Sequence, residues 1–254
     1  MAKPFIKWAG GKSQLLQQIE TYLPAGFDDM QDMTYIEPFV GGGAMLFHML
    51  STHKNISRAI INDISSNLII AYRTIQTQPE PLIERLFEIQ EEYRKFDNDH
   101  RQEYFYKMRD SFNGEYTNDV ENTAMFIFLN RTCFNGLYRE NSKGKFNVPF
   151  GRYANPTICD AETIRSDSEL LQQVEILRGD YTQVENYIDG SNTFIYFDPP
   201  YRPLNATSSF NSYVKEPFND EEQRRLEKFF AQMSDEGCLL MLSNSDCSAK
   251  NPED

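Results

Sequence analysis

TYIEPFVGGGA, residues 34–44, is where the fold is decided. A short apolar run, Tyr35–Val40, breaks into Gly41-Gly42-Gly43, and Ala44–Leu50 then has helical spacing of its apolar residues. The order is strand, glycine turn, helix. Arg58–Asp63 (RAIIND) reads as a second strand, and its terminal carboxylate lies twenty residues beyond Gly43. The strict G-x-G-x-x-G pattern is absent, but the physics is similar. Glycines at a strand end let the backbone approach a nucleoside-bearing ligand at a helix N-terminus, and an acid at the next strand end suits ribose hydroxyls. A glycine triplet alone is equally well explained as a tight turn with close packing; Asp63 at that offset tips the balance toward a ligand site.

Outward from this centre, Leu15, Leu16, Ile19 and Leu23 predict a helix over Ser13–Leu23. From about Ser65 to Asn130 the pattern is helical, with Leu82, Leu86, Ile89 and Tyr93 on one face and AMFIFL (124–129) as a buried segment. The aromatics Tyr93, Phe96, Tyr104, Phe105 and Tyr106 read as helical core. Residues 131–156 are rich in Gly, Asn, Pro and Lys, which suits a loop or hairpin. Strand-like runs return at Val174–Leu177, Thr193–Phe197 and Cys238–Leu242, with a charged helix over Asp220–Met233. Strands at both ends and helices between them predict one parallel α/β domain interrupted by a mainly helical insert.

The run TFIYFDPPY (193–201) carries the sharpest chemistry. An apolar strand runs straight into Asp198-Pro199-Pro200-Tyr201, and the two prolines remove two amide donors, so the carbonyls there face outward as acceptors. A carboxylate, an outward carbonyl and an aromatic ring make a site for a planar molecule with an exocyclic amino group. Asp198 accepts one amino hydrogen, the Pro199 carbonyl the other, and Tyr201 stacks on the ring. GGKS (10–13) is no phosphate-binding P-loop, since the required first glycine is Ile6 and no strand fits before it. Lys12 and Trp8 beside that glycine pair suit contact with a carboxylate-bearing ligand.

Charge and composition narrow the classes. With 25 Lys and Arg against 38 Asp and Glu the formal charge is −13, which by itself argues against a nucleic-acid partner. The distribution reverses that argument locally. Residues 80–103 carry eight acidic and four basic side chains, whereas 131–154 carry five basic (Arg131, Arg139, Lys143, Lys145, Arg152) and Glu140 alone. The first twelve residues add Lys3, Lys7 and Lys12 and no acid. Phosphate binding needs such a local cationic surface. Cys133, Cys159, Cys238 and Cys247 show no zinc spacing, no apolar run is long enough for a membrane span, and no signal peptide is expected. His48 and His53 read as a helix residue and a helix exit, and Cys133 as packing. The chain thus reads as cytoplasmic, reduced and metal-free, with no membrane partner.

KWAGGK (7–12), IEPFVGGGA (36–44), Asp63, RGDY (178–181) and YFDPPY (196–201) together resemble the motif set of the Dam-type, α-group DNA adenine N6-methyltransferases. FNGLYRENSKGKFNVPFGRY (134–153) resembles that family's DNA-reading hairpin, and the likeness covers nearly the whole chain. The resemblance implies a Rossmann-like, S-adenosylmethionine-dependent methyltransferase sheet (1–68 and 160–254) with an inserted target-recognition domain (69–159). It implies S-adenosyl-L-methionine as methyl donor, adenine N6 in double-stranded DNA as acceptor, and GATC as target, in a bacterial or phage-infected cell. Trp8, Lys12, Glu37, Pro38, Phe39, Gly41, Gly43 and Asp63 match positions around the cofactor. Asp180 and Tyr181 match the element holding its adenine, and Asp198, Pro199, Pro200 and Tyr201 the catalytic motif, with Asp198 also lining the cofactor pocket. Phe134 matches an aromatic that inserts into the base stack; Asn135 lies beside it. Leu137, Arg139, Asn141 and Pro149 match base-contacting positions, and Lys7 a guanine-contacting lysine. Lys143, Lys145, Arg152 and Tyr153 complete the hairpin, with phosphate contact expected of Lys143, Lys145 and Arg152.

Two acceptors on the amino hydrogens would draw the adenine nitrogen toward sp³ character and free its lone pair for in-line attack on the methyl group, with positioning supplying much of the acceleration. Rival readings are an N4-cytosine or RNA methyltransferase on the same fold, or a catalytically silent cofactor- and DNA-binding module. Asp198 favours adenine over cytosine, and the hairpin favours DNA over RNA. A cognate restriction endonuclease is a conceivable genetic, not physical, partner. Members of the family continue for some tens of residues past the strand ending in LSNS (242–245), so a chain ending at NPED (251–254) is expected to leave strand groups at the sheet edge uncovered.

Overall fold

The computed structural model describes residues 2–201 and 218–244. Cys247 and NPED (251–254) lie outside the described residues, as does Ser245 of the LSNS run. Five strands form one parallel sheet: β1 (Met33–Glu37), β2 (Ile56–Asp63), β3 (Val174–Arg178), β4 (Thr193–Phe197) and β5 (Leu239–Leu242). Their spatial order is β3-β2-β1-β4-β5. Strand order therefore reverses between β1 and β4, and in open α/β sheets ligands bind outside the carboxyl ends of the strands at that point.

Alternation along the strands explains why both faces are covered. Tyr35, Ala59, Ile61, Val174, Phe194 and Tyr196 enter one core. Ile36, Ile60, Ile195 and Phe197 enter the other, with Leu226, Phe229 and Met233 of helix α8 (Asp220–Asp235). Residues two apart share a face, so a strand apolar throughout, such as FIYF, must be buried on both sides. The first face is covered by α2 (Ala44–Thr52), α3 (Ser66–Thr77) and α7 (Ala161–Leu171). The helices α4 (Pro79–Lys95), α5 (Asn98–Phe112) and α6 (Asp119–Thr132) continue the same core outward. Tyr93, Tyr104 and Phe105 are buried there, while Phe96, just past α4, and Tyr106 are partly buried against it.

Two element boundaries differ from expectation for local reasons. β1 ends at Glu37 and not Val40, because Pro38 has no N–H to continue the ladder; the Val40 amide bonds instead to the Asn62 carbonyl at 3.0 Å. The N-terminal helix, α1, spans only Leu16–Glu20, preceded by a turn in which the Leu15 amide bonds to the Lys12 carbonyl at 2.7 Å. That turn carries Lys12 inward to the strand ends. Residues 133–150 close on two isolated antiparallel bridges, Cys133 with Phe150 and Glu140 with Phe146. No helix among the described residues is long and apolar enough to cross a membrane.

Candidate active site

Glu37 ends β1 and Asp198 follows β4, so both carboxylates stand at the strand-order reversal. Lys12 joins them. Its Nζ donates to Asp198 Oδ1 at 2.7 Å and Oδ2 at 2.5 Å and to the Gly10 carbonyl at 2.8 Å. It also lies 4.9 Å from the centroid of the Tyr201 ring, which is partly exposed. The Lys12 side chain is 6% accessible and that of Asp198 20%, so the pair is largely desolvated. Burial pulls the ammonium down, but Asp198, with a further contribution from Tyr201, outweighs it and the net shift is upward. Burial pushes the Asp198 carboxyl up, and Lys12 opposes that only in part. An ammonium within hydrogen-bonding distance of both oxygens keeps this an ion pair near neutral pH. Asp198 thus faces an N–H donor at both oxygens, in the manner required of a site for an amino group.

Glu37 is buried and accepts a hydrogen bond from the Tyr35 hydroxyl. Burial pushes its carboxyl up to about 8; the Tyr35 bond opposes the shift and the charge of Asp198 adds to it. Asp167 on α7, buried with its Oδ2 unpartnered, is likewise pushed up to about 8 by burial. A carboxyl whose folded value is raised contributes stability at low pH that is lost as pH climbs through the folded value. The ligand-free protein is therefore expected to lose melting temperature progressively between about pH 5 and pH 8, and calorimetry across that range checks it. A flat profile would contradict the burial of these two acids.

The glycine turn is held from several sides. Asp63 Oδ2 accepts the Gly41 amide at 3.1 Å and Oδ1 the Ser65 amide at 2.9 Å. Burial raises its carboxyl even so. The Tyr72 hydroxyl donates to the Gly41 carbonyl at 3.0 Å. A Cβ on Gly41 would come within 2.8 Å of the Trp8 ring, and one on Gly43 would meet the Tyr72 hydroxyl. The glycines are thus required for packing as well as for approach to a ligand. Asn62 Nδ2 ties the turn to the β3 end through the Pro38 and Gly179 carbonyls, at 3.0 Å each, leaving its buried Oδ1 unpartnered. Beyond Gly179, Asp180 receives Arg225 of α8 at 2.8 Å on each oxygen and Thr182 Oγ1 at 2.6 Å. Burial raises the Asp180 carboxyl, but these donors outweigh it and leave it below its ordinary value. Phe39, Tyr181 and Phe218 form an aromatic cluster beside it, with centroids 5.1 to 6.3 Å apart, and the buried Tyr181 hydroxyl has no partner.

These features fit a nucleoside bearing an amino-acid tail. Glu37 is a buried carboxyl, costly to ionise, whose charge Lys12 offsets only in part, so its chemistry suits an α-ammonium. The orphaned polar atoms of Asn62 and Tyr181 and the aromatic cluster suit a purine. Among the described residues no group of three or more His, Cys, Asp or Glu is placed to hold a metal ion. His48 pairs with Glu20 at 2.6 Å and His53 with Asp28 at 2.6 Å. Cys133 is buried, donates to the Leu137 carbonyl at 3.1 Å, and is pushed up to about 12 by burial, which makes it a packing group and not a nucleophile.

Of the hairpin, Gly136 and Tyr153 lie against the Lys7 side chain. Phe134 is 52% exposed; Asn135, Asn141, Lys143, Lys145, Pro149 and Arg152 are also exposed, while Leu137, Arg139 and Tyr153 are half-buried. Asn135 and Arg152 have φ of 57° and 54°, bends that set the two flanks of the loop. The Phe134 amide bonds to the Pro149 carbonyl at 2.8 Å, and Arg139 Nε to Asn147 Oδ1 at 2.8 Å. Asn141 Oδ1 accepts the Lys143 and Lys145 amides at 2.9 and 3.1 Å, a turn that holds both lysine Cα atoms at the tip. Lys7 Nζ lies 5.5 Å from the Tyr153 ring. Trp8 stacks on Tyr138 at 5.4 Å and 19°, so it joins the glycine turn to the hairpin. Tyr138, Tyr35, Asn130 and Arg225 were not singled out from the sequence. Only Asn130, a polar residue closing the apolar AMFIFL run, carried a local signal.

The sequence pattern of the family described as D12 class N6 adenine-specific DNA methyltransferase matches residues 8–251. A Type II methyltransferase of Methanocaldococcus jannaschii is 49% identical over 245 residues, covering 96% of this chain and 84% of its own length. A Type II methyltransferase of Lactococcus lactis subsp. cremoris is 43% identical over 249 residues, 96% of this chain and 81% of that one. The DNA adenine methylase of Escherichia coli K12 is 31% identical over 249 residues, again 96% and 81%. With a Rossmann-like parallel sheet and an inserted helical region to match, this chain belongs to the D12 class of N6 adenine-specific DNA methyltransferases, an S-adenosylmethionine-dependent enzyme family.

Proposed function

We propose that within this family the chain methylates the adenine of GATC in duplex DNA, after turning that base out of the stack into the pocket between Asp198 and Tyr201. The observation that carries the reading is Asp198 at the sheet's switch point with both oxygens receiving N–H donors from one buried ammonium. S-adenosylmethionine, when bound, supplies a methyl group on a positively charged sulfur. Glu37 would hold its ammonium, Asp63 its ribose, and Phe39 and Tyr181 its adenine. Lys12 and Trp8 flank the same pocket.

Asp198 and the Pro199 carbonyl accept the two amino hydrogens of the target adenine, and Tyr201 stacks on the ring. Those acceptors localise the nitrogen lone pair, and Asp198 takes the proton that becomes acidic once the methyl has transferred. Entry of the amino group displaces Lys12 from Asp198. Phe134, exposed at the start of the hairpin, wedges into the stack and offsets part of the few kcal/mol that extrusion costs. Lys7, Asn135, Leu137, Arg139, Asn141 and Pro149 read base edges, and Lys143, Lys145, Arg152 and Tyr153 follow the backbone. In this reading residues 69–159 are the recognition domain, and 1–68 with 160–254 the catalytic one. On the same reading the enzyme works in the cytoplasm of a bacterial or phage-infected cell, and any restriction endonuclease cognate to it is a genetic, not a physical, partner.

Tritiated methyl transfer to a GATC duplex, against a matched duplex whose target adenines are replaced, tests the proposal. Label on the first alone is the expected result. Label on both would discard GATC, and label on neither, with cofactor binding intact, would discard the catalytic assignment.

A further inference from the structure

The N-terminal segment and the hairpin meet at one buried side chain. Asn130, on the last turn of α6 and 1% exposed, accepts the Lys7 amide on Oδ1 at 2.8 Å. Its Nδ2 donates to the Lys7 carbonyl at 2.9 Å and to the Gly136 carbonyl at 3.0 Å. The carboxamide thus pairs with Lys7 as a neighbouring strand would, and its second N–H reaches the hairpin. None of the three bonds closes within α6 or ties that helix to the sheet. All three go to the two segments that carry the reading residues, Lys7 on one side and Phe134, Asn135 and Leu137 around Gly136 on the other. Gly136, at φ 64°, packs directly on the Lys7 side chain, and an added Cβ would clash with it. Any change in the Asn130 bonds therefore alters the spacing between Lys7 and Phe134.

We infer that Asn130 is a positioning residue for sequence discrimination, setting the distance between Lys7 and the hairpin so that both address the duplex in one register. The inference rests on the reading of Lys7 and the hairpin as base-contacting. A contact to a base edge works only within a few tenths of an ångström of its hydrogen-bond geometry, so a relaxed spacing weakens the preferred duplex more than a mismatched one.

The test compares the parent chain with Asn130→Ala, Asn130→Asp and Lys7→Ala. Initial methylation rates are measured on the duplex the parent prefers and on duplexes differing from it by one base pair outside the adenine, beside S-adenosylmethionine affinity. Asn130→Ala is expected to bind the cofactor within about threefold of the parent. It should lose about fivefold or more of the preferred-to-mismatched ratio, the lower end of what one good base contact supplies, with KM for DNA raised and kcat little changed. Asn130→Asp keeps the acceptor for Lys7 but turns both donated bonds into oxygen–oxygen repulsion. Its ratio should recover toward acid pH, where the protonated acid regains one donor, while the parent's ratio stays flat. Discrimination kept by Asn130→Ala, or lost only together with cofactor binding, would overturn the inference. So would an Asn130→Asp ratio indifferent to pH. If Lys7→Ala loses discrimination and Asn130→Ala does not, the inference alone fails; if Lys7→Ala keeps it, the base-contact reading fails as well.

Discussion

Asp198→Ala is expected to lower the methylation rate by about a hundred- to a thousandfold or more, the scale seen when one preorganised polar contact to a reacting group is removed. The same substitution has a second, separable effect. Lys12 keeps its buried position but loses its carboxylate partner. An unpaired buried charge costs on the order of 3–5 kcal/mol, so the variant should also melt lower. Its pH dependence tells the two effects apart. Without Asp198, burial pulls the Lys12 ammonium down against Tyr201 alone, and a group whose folded value is depressed gains stability as pH rises toward its unfolded one. The stability deficit of the variant relative to the parent should therefore shrink at alkaline pH, since the losses through Glu37 and Asp167 are common to both. Adding Lys12→Met to Asp198→Ala removes the orphaned charge and should restore the melting temperature without restoring turnover. Normal turnover in either variant would remove Asp198 from the chemistry.

Gly43→Ala is expected to be strongly damaging although it adds only one methyl group. Gly43 caps α2 at φ 74°, where a side chain costs about 1–2 kcal/mol, and its Cβ would meet the hydroxyl of Tyr72, which is fully buried. Tyr72 cannot retreat without losing its bond to the Gly41 carbonyl and its packing on Phe5 at 5.1 Å. Overpacking of this kind adds about 1–3 kcal/mol. Together these should lower the melting temperature by on the order of 10 °C. S-adenosylmethionine affinity should fall with it, because Gly41 would no longer present its amide to Asp63. By contrast Gly10→Ala, at φ 73° but with no atom within 4 Å of the added carbon, should show the backbone cost alone. Equal effects for the two would mean that packing at the turn is unimportant.

Strand β4 and the turn after it were legible in the sequence because an apolar run has to be buried and prolines have to end a ladder, both of which are properties of neighbours in the chain. The same holds for the glycine turn with Asp63, and for the helical insert. The N-terminal helix was overread. Leu15, Leu16, Ile19 and Leu23 have helical spacing, but Leu15 is exposed and the helix spans Leu16–Glu20 alone, because the preceding turn is committed to carrying Lys12 beneath Asp198. Lys12 itself stood out in the sequence as a ligand contact; its ion pair with Asp198, 186 residues away, did not.

What the sequence by itself determined is which residues must be inside, where the chain must turn, and which side chains have the chemistry for an amino-bearing base. Each follows from local burial, backbone freedom and donor–acceptor inventory. The strand order, and with it the meeting of Glu37 and Asp198 at the reversal, was decided by tertiary structure. So were the Arg225 clamp on Asp180, the Trp8–Tyr138 stack and the three bonds of Asn130. These are pairings between segments up to 186 residues apart, and a polar side chain carries no mark of its partner until packing has excluded water from around both.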